Sequence, residues 1–101
     1  MTEEKQHSDS NIVYIGEKPL INYATSIVMQ FTTKNSQTVL VKARGKHISK
    51  AVDVSEIAIR RFLQDQAQLQ NVRIGSEEFE NKEGRKVFVS FIEITLEKKQ
   101  S

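Results

Sequence analysis

The chain has 101 residues, 38% of them hydrophobic and 28% charged, with no cysteine and a formal net charge of +2. That length suits one ordinary domain and not two. The composition is that of a globular chain; it excludes a disulfide framework and a thiolate metal site, and no run is long and apolar enough for a membrane-spanning helix.

The first ten residues are polar and predict a disordered tail, residues 1–10, ahead of a single domain, residues 11–99. They hold no apolar signal region, so a cytoplasmic protein is expected. Asn11 to Ile15 reads as a short strand ended by Gly16. Pro19 opens a helix, where its missing N–H costs nothing. Leu20, Tyr23, Ala24, Ile27, Val28 and Phe31 then recur at spacings of three and four, one apolar stripe on that helix. Thr38 to Ala43 predicts a second strand, with Val39, Val41 and Ala43 on one face and Leu40, Lys42 and Arg44 on the other. After Gly45 a second helix is expected from Ile48 or Ser49. Its broad apolar face comprises Ile48, Ala51, Val52, Ser55, Ile59, Phe62 and Leu63, leaving Val54 and Ile57 outside it, as tolerated surface or as partner surface.

Leu69 to Phe79 and Val87 to Leu96 predict two strands joined by a turn at Asn81 to Gly84. In the last strand Phe88, Ser90, Ile92, Ile94 and Leu96 suit the core beneath the helices. The alternate set has an apolar first half, Val87, Val89 and Phe91, which predicts contact with another chain. The order β-α-β-α-β-β gives an α+β fold, a two-layer sandwich with both helices on one face of a four-stranded mixed sheet.

An enzyme is not expected. The histidines are His7 and His47 only; no HExxH, carboxylate–histidine cluster, GxSxG or phosphate-binding glycine loop is present, so no catalytic residue, metal or cofactor is assigned. Charge placement is more informative. Residues 1–50 carry seven Lys/Arg against four Asp/Glu, residues 51–101 eight against nine, and Lys42 to Lys50 holds four bases and no acid. A local patch matters more than the net sum for recruiting phosphate. Lys42 and Arg44 point the same way at a strand end, Gly45 turns the backbone, and Lys46 precedes a helix N-terminus. Such a corner presents cations and N–H donors to one anion, although the same residues would also make an ordinary solvated basic loop.

Four separated motifs resemble the Alba family of archaeal chromatin proteins. They are Ile15 to Tyr23, with its Gly-Glu-Lys-Pro and Asn-Tyr; Val41 to Asp53, with Lys-Ala-Arg-Gly followed by Ile-Ser-Lys-Ala-Val-Asp; Arg61-Phe62-Leu63; and Arg73 to Ser76. The resemblance runs from about Asn11 to Lys99. It implies a fold like the C-terminal domain of translation initiation factor 3, strand order 1-2-4-3, and a homodimer. It implies binding and condensation of double-stranded DNA on the chromosome without sequence preference, with RNA bound by several members. It assigns phosphate contacts to Lys18, Arg44 and Lys46 at two strand–helix corners. It assigns a minor-groove arm to the last hairpin, with Lys82, Arg85 and Lys86, and a meeting point between dimers to Phe62, which the helix wheel puts at the edge of the core stripe.

The chain departs from the family pattern at Glu17, which replaces the first of two paired lysines, a position acetylated in some members. The hairpin also carries Glu77, Glu78, Glu80 and Glu83. Weaker or differently shaped binding is therefore expected. Two alternatives follow: an RNA-binding protein of the same fold, and an assembly partner forming heterodimers with a more basic paralogue.

Overall fold

The computed structural model describes residues 11–100, so the tail expected at residues 1–10 lies outside the described residues. In chain order the elements are β1 (Ile12–Tyr14), α1 (Leu20–Thr32), β2 (Thr38–Arg44), a 3₁₀ turn (Gly45–His47), α2 (Ile48–Ile57), a π turn (Ala58–Phe62), β3 (Ala67–Glu80) and β4 (Lys86–Lys98). The four strands form one sheet in the order β1-β2-β4-β3. β1 pairs with β2 in parallel, and β4 runs antiparallel to both β2 and β3. This is the α+β sandwich and the strand order expected.

Periodicity places the core. Along α1 the predicted stripe faces inward: Ala24, Ile27 and Phe31 are buried, and Leu20, Tyr23 and Val28 pack against the core. From the sheet come Val13 and Ile15, Val39, Val41 and Ala43, and Ile92, Ile94 and Leu96, all buried beneath the helices. Alternation in β2 thus commits Lys42 and Arg44 to the outer face, away from the helices.

Two expectations are corrected. On α2, Val54 is fully buried and Val52 is exposed, the reverse of the helical-wheel reading. The inward face runs through Ala51, Val54, Ser55 and Ala58. The sequence wheel was drawn toward Val52 and Phe62 by their apolarity and assumed a regular 3.6-residue period to the end. A π turn at Ala58–Phe62 breaks that period by adding a residue to the turn, so Leu63 enters the core while Phe62 stays 50% exposed. In β4, Phe88 and Ser90 are exposed rather than in the core, Phe88 by 69%. β2 pairs with β4 only as far as Arg44 opposite Phe91, so the strand before Phe91 runs on with β3 alone beside it. Phe88 has the correct parity for the core but lies beyond it.

The β3–β4 hairpin therefore projects, and the molecule measures 52 × 34 × 22 Å. Its turn is closed by backbone bonds from Asn81 N to Arg85 O (2.8 Å) and from Gly84 N to Asn81 O (3.0 Å). The Asn81 side-chain oxygen accepts from the N–H groups of Glu83 and Arg85, both at 2.9 Å. Gly84 takes φ +83°, a conformation that favours a residue without a Cβ.

Candidate nucleic-acid interface

Parallel pairing of β1 and β2 brings their C-terminal ends side by side. Tyr14 lies opposite Lys42, and the Ile15 N–H donates to Lys42 O at 2.9 Å. Two loops therefore leave the sheet together: Gly16–Pro19 leading to α1, and Gly45–His47 leading to α2. Lys18 sits on the first loop, Lys46 on the second, and Arg44 at the end of β2; all three are exposed. Gly45 makes the second turn possible with φ +53°.

The first loop is held by two side chains outside the predicted set. The Tyr23 hydroxyl accepts from the N–H groups of Gly16 (3.0 Å) and Lys18 (3.1 Å). A Cβ on residue 16 would come within 3.3 Å of that hydroxyl, so glycine lets the loop close on it. The Lys50 ammonium donates to Gly16 O at 2.8 Å and to Lys18 O, and lies 5.3 Å from the centre of the Tyr23 ring. Lys50 stands within the basic run but acts here as a fastener between the loop and α2. The sequence signal for it was its helical position, four residues after Lys46.

The corner is not an unopposed cationic patch. Glu17 lies 3.0 Å from the Lys46 ammonium and 3.5 Å from His47 Nε2. The hydrogen bond and charge of Lys46, followed by the charge of His47, hold the Glu17 carboxyl below its ordinary value of 4.5. Arg44 is 3.3 Å from Glu77 and lies over the Phe79 ring at 5.4 Å, which ties the corner to the hairpin. Lys42 faces Glu93 at 3.6 Å, and Glu93 is also held by Arg73 at 2.6 Å. These pairs are solvent-accessible, so each is worth little and a stronger anion can displace the carboxylate.

On the hairpin, Lys86 pairs with Glu78 at 3.4 Å and stands opposite Glu80 in the strand register. Acids and bases thus share one face of the arm. Lys82 and Arg85 stand exposed at its turn, with no carboxylate partner among the described residues. The seven predicted bases accordingly fall into three places: Lys18, Arg44 and Lys46 at the corner, Lys42 on the outer sheet face, and Lys82, Arg85 and Lys86 at the arm.

Of the predicted interface residues, Phe62 and Val87 are exposed, while Val89 and Phe91 are half-buried within the monomer. Phe91 lies across Gly75 with the Arg73 guanidinium 5.2 Å from its ring centre. The more exposed apolar side chains lie on the opposite face of the same two strands: Leu69, Val72, Ile74 and Phe88, with Ile74 75% exposed. Among the described residues no group of three or more His, Cys, Asp or Glu side chains is arranged to hold a metal ion, and no helix is long and apolar enough to cross a membrane.

The model of the Alba family matches residues 11–76. The chain belongs to the Alba family. A DNA/RNA-binding protein Alba from Methanococcus maripaludis is 42% identical over 86 residues, covering 85% of this chain and 96% of that one. A DNA/RNA-binding protein Alba from Thermoplasma volcanium is 43% identical over 89 residues, covering 88% and 97%. Among solved structures, Alba from Thermoplasma volcanium superposes with a TM-score of 0.78 at 44% identity, covering 86% of this chain and 99% of that chain. ALBA1 from Trypanosoma brucei shares the fold, with a TM-score of 0.68 at 21% identity over 88% and 69%. The two sequence relatives, from Methanococcus maripaludis and Thermoplasma volcanium, are named as DNA/RNA-binding proteins and not as enzymes. The matched Alba segment contains the four bases Lys18, Lys42, Arg44 and Lys46; the three hairpin bases lie beyond it.

Proposed function

We propose that this protein binds nucleic acid through its phosphates and without sequence preference, and that as a homodimer associated with the chromosome it coats and compacts double-stranded DNA. The observation that carries this reading is the meeting of two strand–helix corners, which brings Lys18, Arg44 and Lys46 to one edge of the sheet. Cations there neutralise phosphates, and each neutralised phosphate adds about −0.9 to the slope of log K against log salt. The basic groups sit at strand–helix corners, suited to phosphates rather than to base edges, so affinity is expected to depend little on sequence. The names of the 42–43% identical relatives support nucleic acid as the ligand.

Homodimer formation would bury the apolar side chains of the projecting strands. Val87, Val89 and Phe91 form one candidate surface; Leu69, Val72, Ile74 and Phe88 form a more exposed one. Two copies of the corner on one surface would lengthen the contact with a duplex. Scrambled duplexes of equal length, titrated at one salt concentration, should bind within a few-fold of one another. A strong preference for one sequence would reject phosphate-based binding.

RNA is the second reading, and the ion-paired hairpin favours it. An arm whose Lys86 is neutralised by Glu78 is poorly suited to track a narrow DNA groove, whereas A-form RNA offers a wide, shallow minor groove. Competition between duplex DNA and structured RNA at equal salt separates the two.

A further inference from the structure

The outer face of the sheet carries a groove of about 470 Å³ beside the basic corner, lined by Tyr14, Gly16, Lys42, Arg44, His47 and Phe91 together with Glu77 and Glu93. We propose that this groove takes an unpaired base of a single-stranded nucleic acid, stacked on Tyr14, while the adjoining phosphate is held at the corner. The proposal rests on the phosphate-binding reading and adds a second contact to it.

Three observations carry it. First, Tyr14 is 67% exposed on the outer face of β1, next to Lys42 and at the mouth of the basic corner. The other tyrosine, Tyr23, is half-buried and its hydroxyl holds the loop, whereas Tyr14 makes no comparable hydrogen bond among the described residues. A free aromatic face next to a cationic path is how single strands are bound without sequence preference.

Second, the groove is shaped by an absence. Gly75 has no side chain, and Phe91 lies so far over it that a Cβ there would be 2.8 Å from the ring. The Phe91 ring is thereby folded down against β3, which leaves open space between it and Tyr14, above Lys42 and Arg44. The volume is within the range of small-ligand sites, roughly 300–1,000 Å³.

Third, the charges suit a base better than a phosphate. Lys42 is countered by Glu93 and Arg44 by Glu77, so the lining is close to neutral. Its carboxylates accept from exocyclic amines, and its cations donate to carbonyl and ring-nitrogen acceptors. Arg44 and His47 line the groove and also adjoin the corner, where His47 faces Glu17. A base in the groove and a phosphate at the corner would thus share Arg44 and His47 as common neighbours. Bases stacked inside a duplex are not available to the groove, so Tyr14 adds nothing to duplex affinity.

The test uses the full chain with a ten-nucleotide single strand, an abasic strand of the same length, and a duplex. Tyr14→Ala should lower affinity for the single strand between about 5-fold and about 150-fold, the cost of losing one stacked base. Tyr14→Phe, which keeps the ring, should retain most of it. Duplex and abasic affinities should not change in either variant. The chain has two tyrosines and no tryptophan, so tyrosine emission is a direct second readout. Quenching by the single strand should be present in the wild type and absent in Tyr14→Phe. Equal single-strand affinity in wild type and Tyr14→Ala, or quenching that persists in Tyr14→Phe, would overturn the groove while leaving duplex binding in place. Loss of duplex binding by the wild type would instead reject the phosphate-based reading.

Discussion

Glu17 controls how much of the corner's positive charge is free for a ligand. Its carboxylate lies against Lys46 and His47, and on the proposed reading it competes with a phosphate oxygen for them. Glu17→Gln should tighten binding of any phosphate-bearing strand by no more than about fivefold, since an exposed, solvent-screened ion pair is weak. Lys46 and His47 lower the pKa of Glu17, so its contribution is present above the ordinary glutamate value of 4.5 and is lost only as pH falls through the lowered value. The ratio of variant to wild-type affinity should therefore close as pH falls below 4.5, where the Glu17 carboxylate takes up a proton in both the free and ion-paired protein. A ratio of one at pH 7 would show that the carboxylate does not compete with the ligand. The sequence identified Glu17 as a departure from a familiar motif and as a source of weaker attraction. Its partners could not be read from spacing, because Lys46 and His47 lie about thirty residues away and only the parallel pairing of β1 with β2 brings them near.

The hairpin is the element with least cover, and its base depends on a glycine–aromatic pair. Gly75 lies opposite Phe91 in the register, and the ring fills the space a side chain would take. Gly75→Ala should destabilise the protein by about 1 kcal/mol, at the low end for overpacking, because Phe91 is half-buried and can swing outward. In a Phe91→Ala background the same substitution should cost close to nothing. Urea unfolding of the four proteins in that cycle gives the coupling directly, and equal costs in both backgrounds would deny that the ring is the obstacle. Most elements were evident from periodicity: the stripe on α1 and the alternation in β2 sort buried from exposed residues as found. Pattern reading failed at particular residues. Val54 was misplaced because apolar Val52 mimics a core position, and Phe62 because a π turn that no residue type announces interrupts the helical period. Phe88 was misplaced because alternation gives the face of a strand and not how far the neighbouring layers extend along it.

At the scale of the whole molecule, the proposed homodimer has two open apolar surfaces on β3 and β4 that could form its contact. Ile74 and Phe88 lie on the same face of neighbouring strands and are the two most exposed large apolar side chains of that face. Ile74→Asp with Phe88→Asp should yield a folded monomer if that face is the dimer contact, since neither side chain belongs to the core. Val89→Asp with Phe91→Asp should do so if the outer face is the contact. Light scattering at micromolar concentration distinguishes the two, and a wild type that is wholly monomeric there would rule out both. The claim that governs all of these is that phosphates are gripped at the corner, and it is tested most directly by the salt dependence of duplex binding in wild type and in the Arg44→Ala, Lys46→Ala double variant. Both side chains are exposed, so the variant should keep its stability within roughly 0.5 kcal/mol for each substitution. Its slope of log K against log salt should be shallower than the wild type's by about one unit for each lost phosphate contact, which is about two units per chain engaged on the duplex. An unchanged slope would place phosphate binding elsewhere on the molecule and contradict the account.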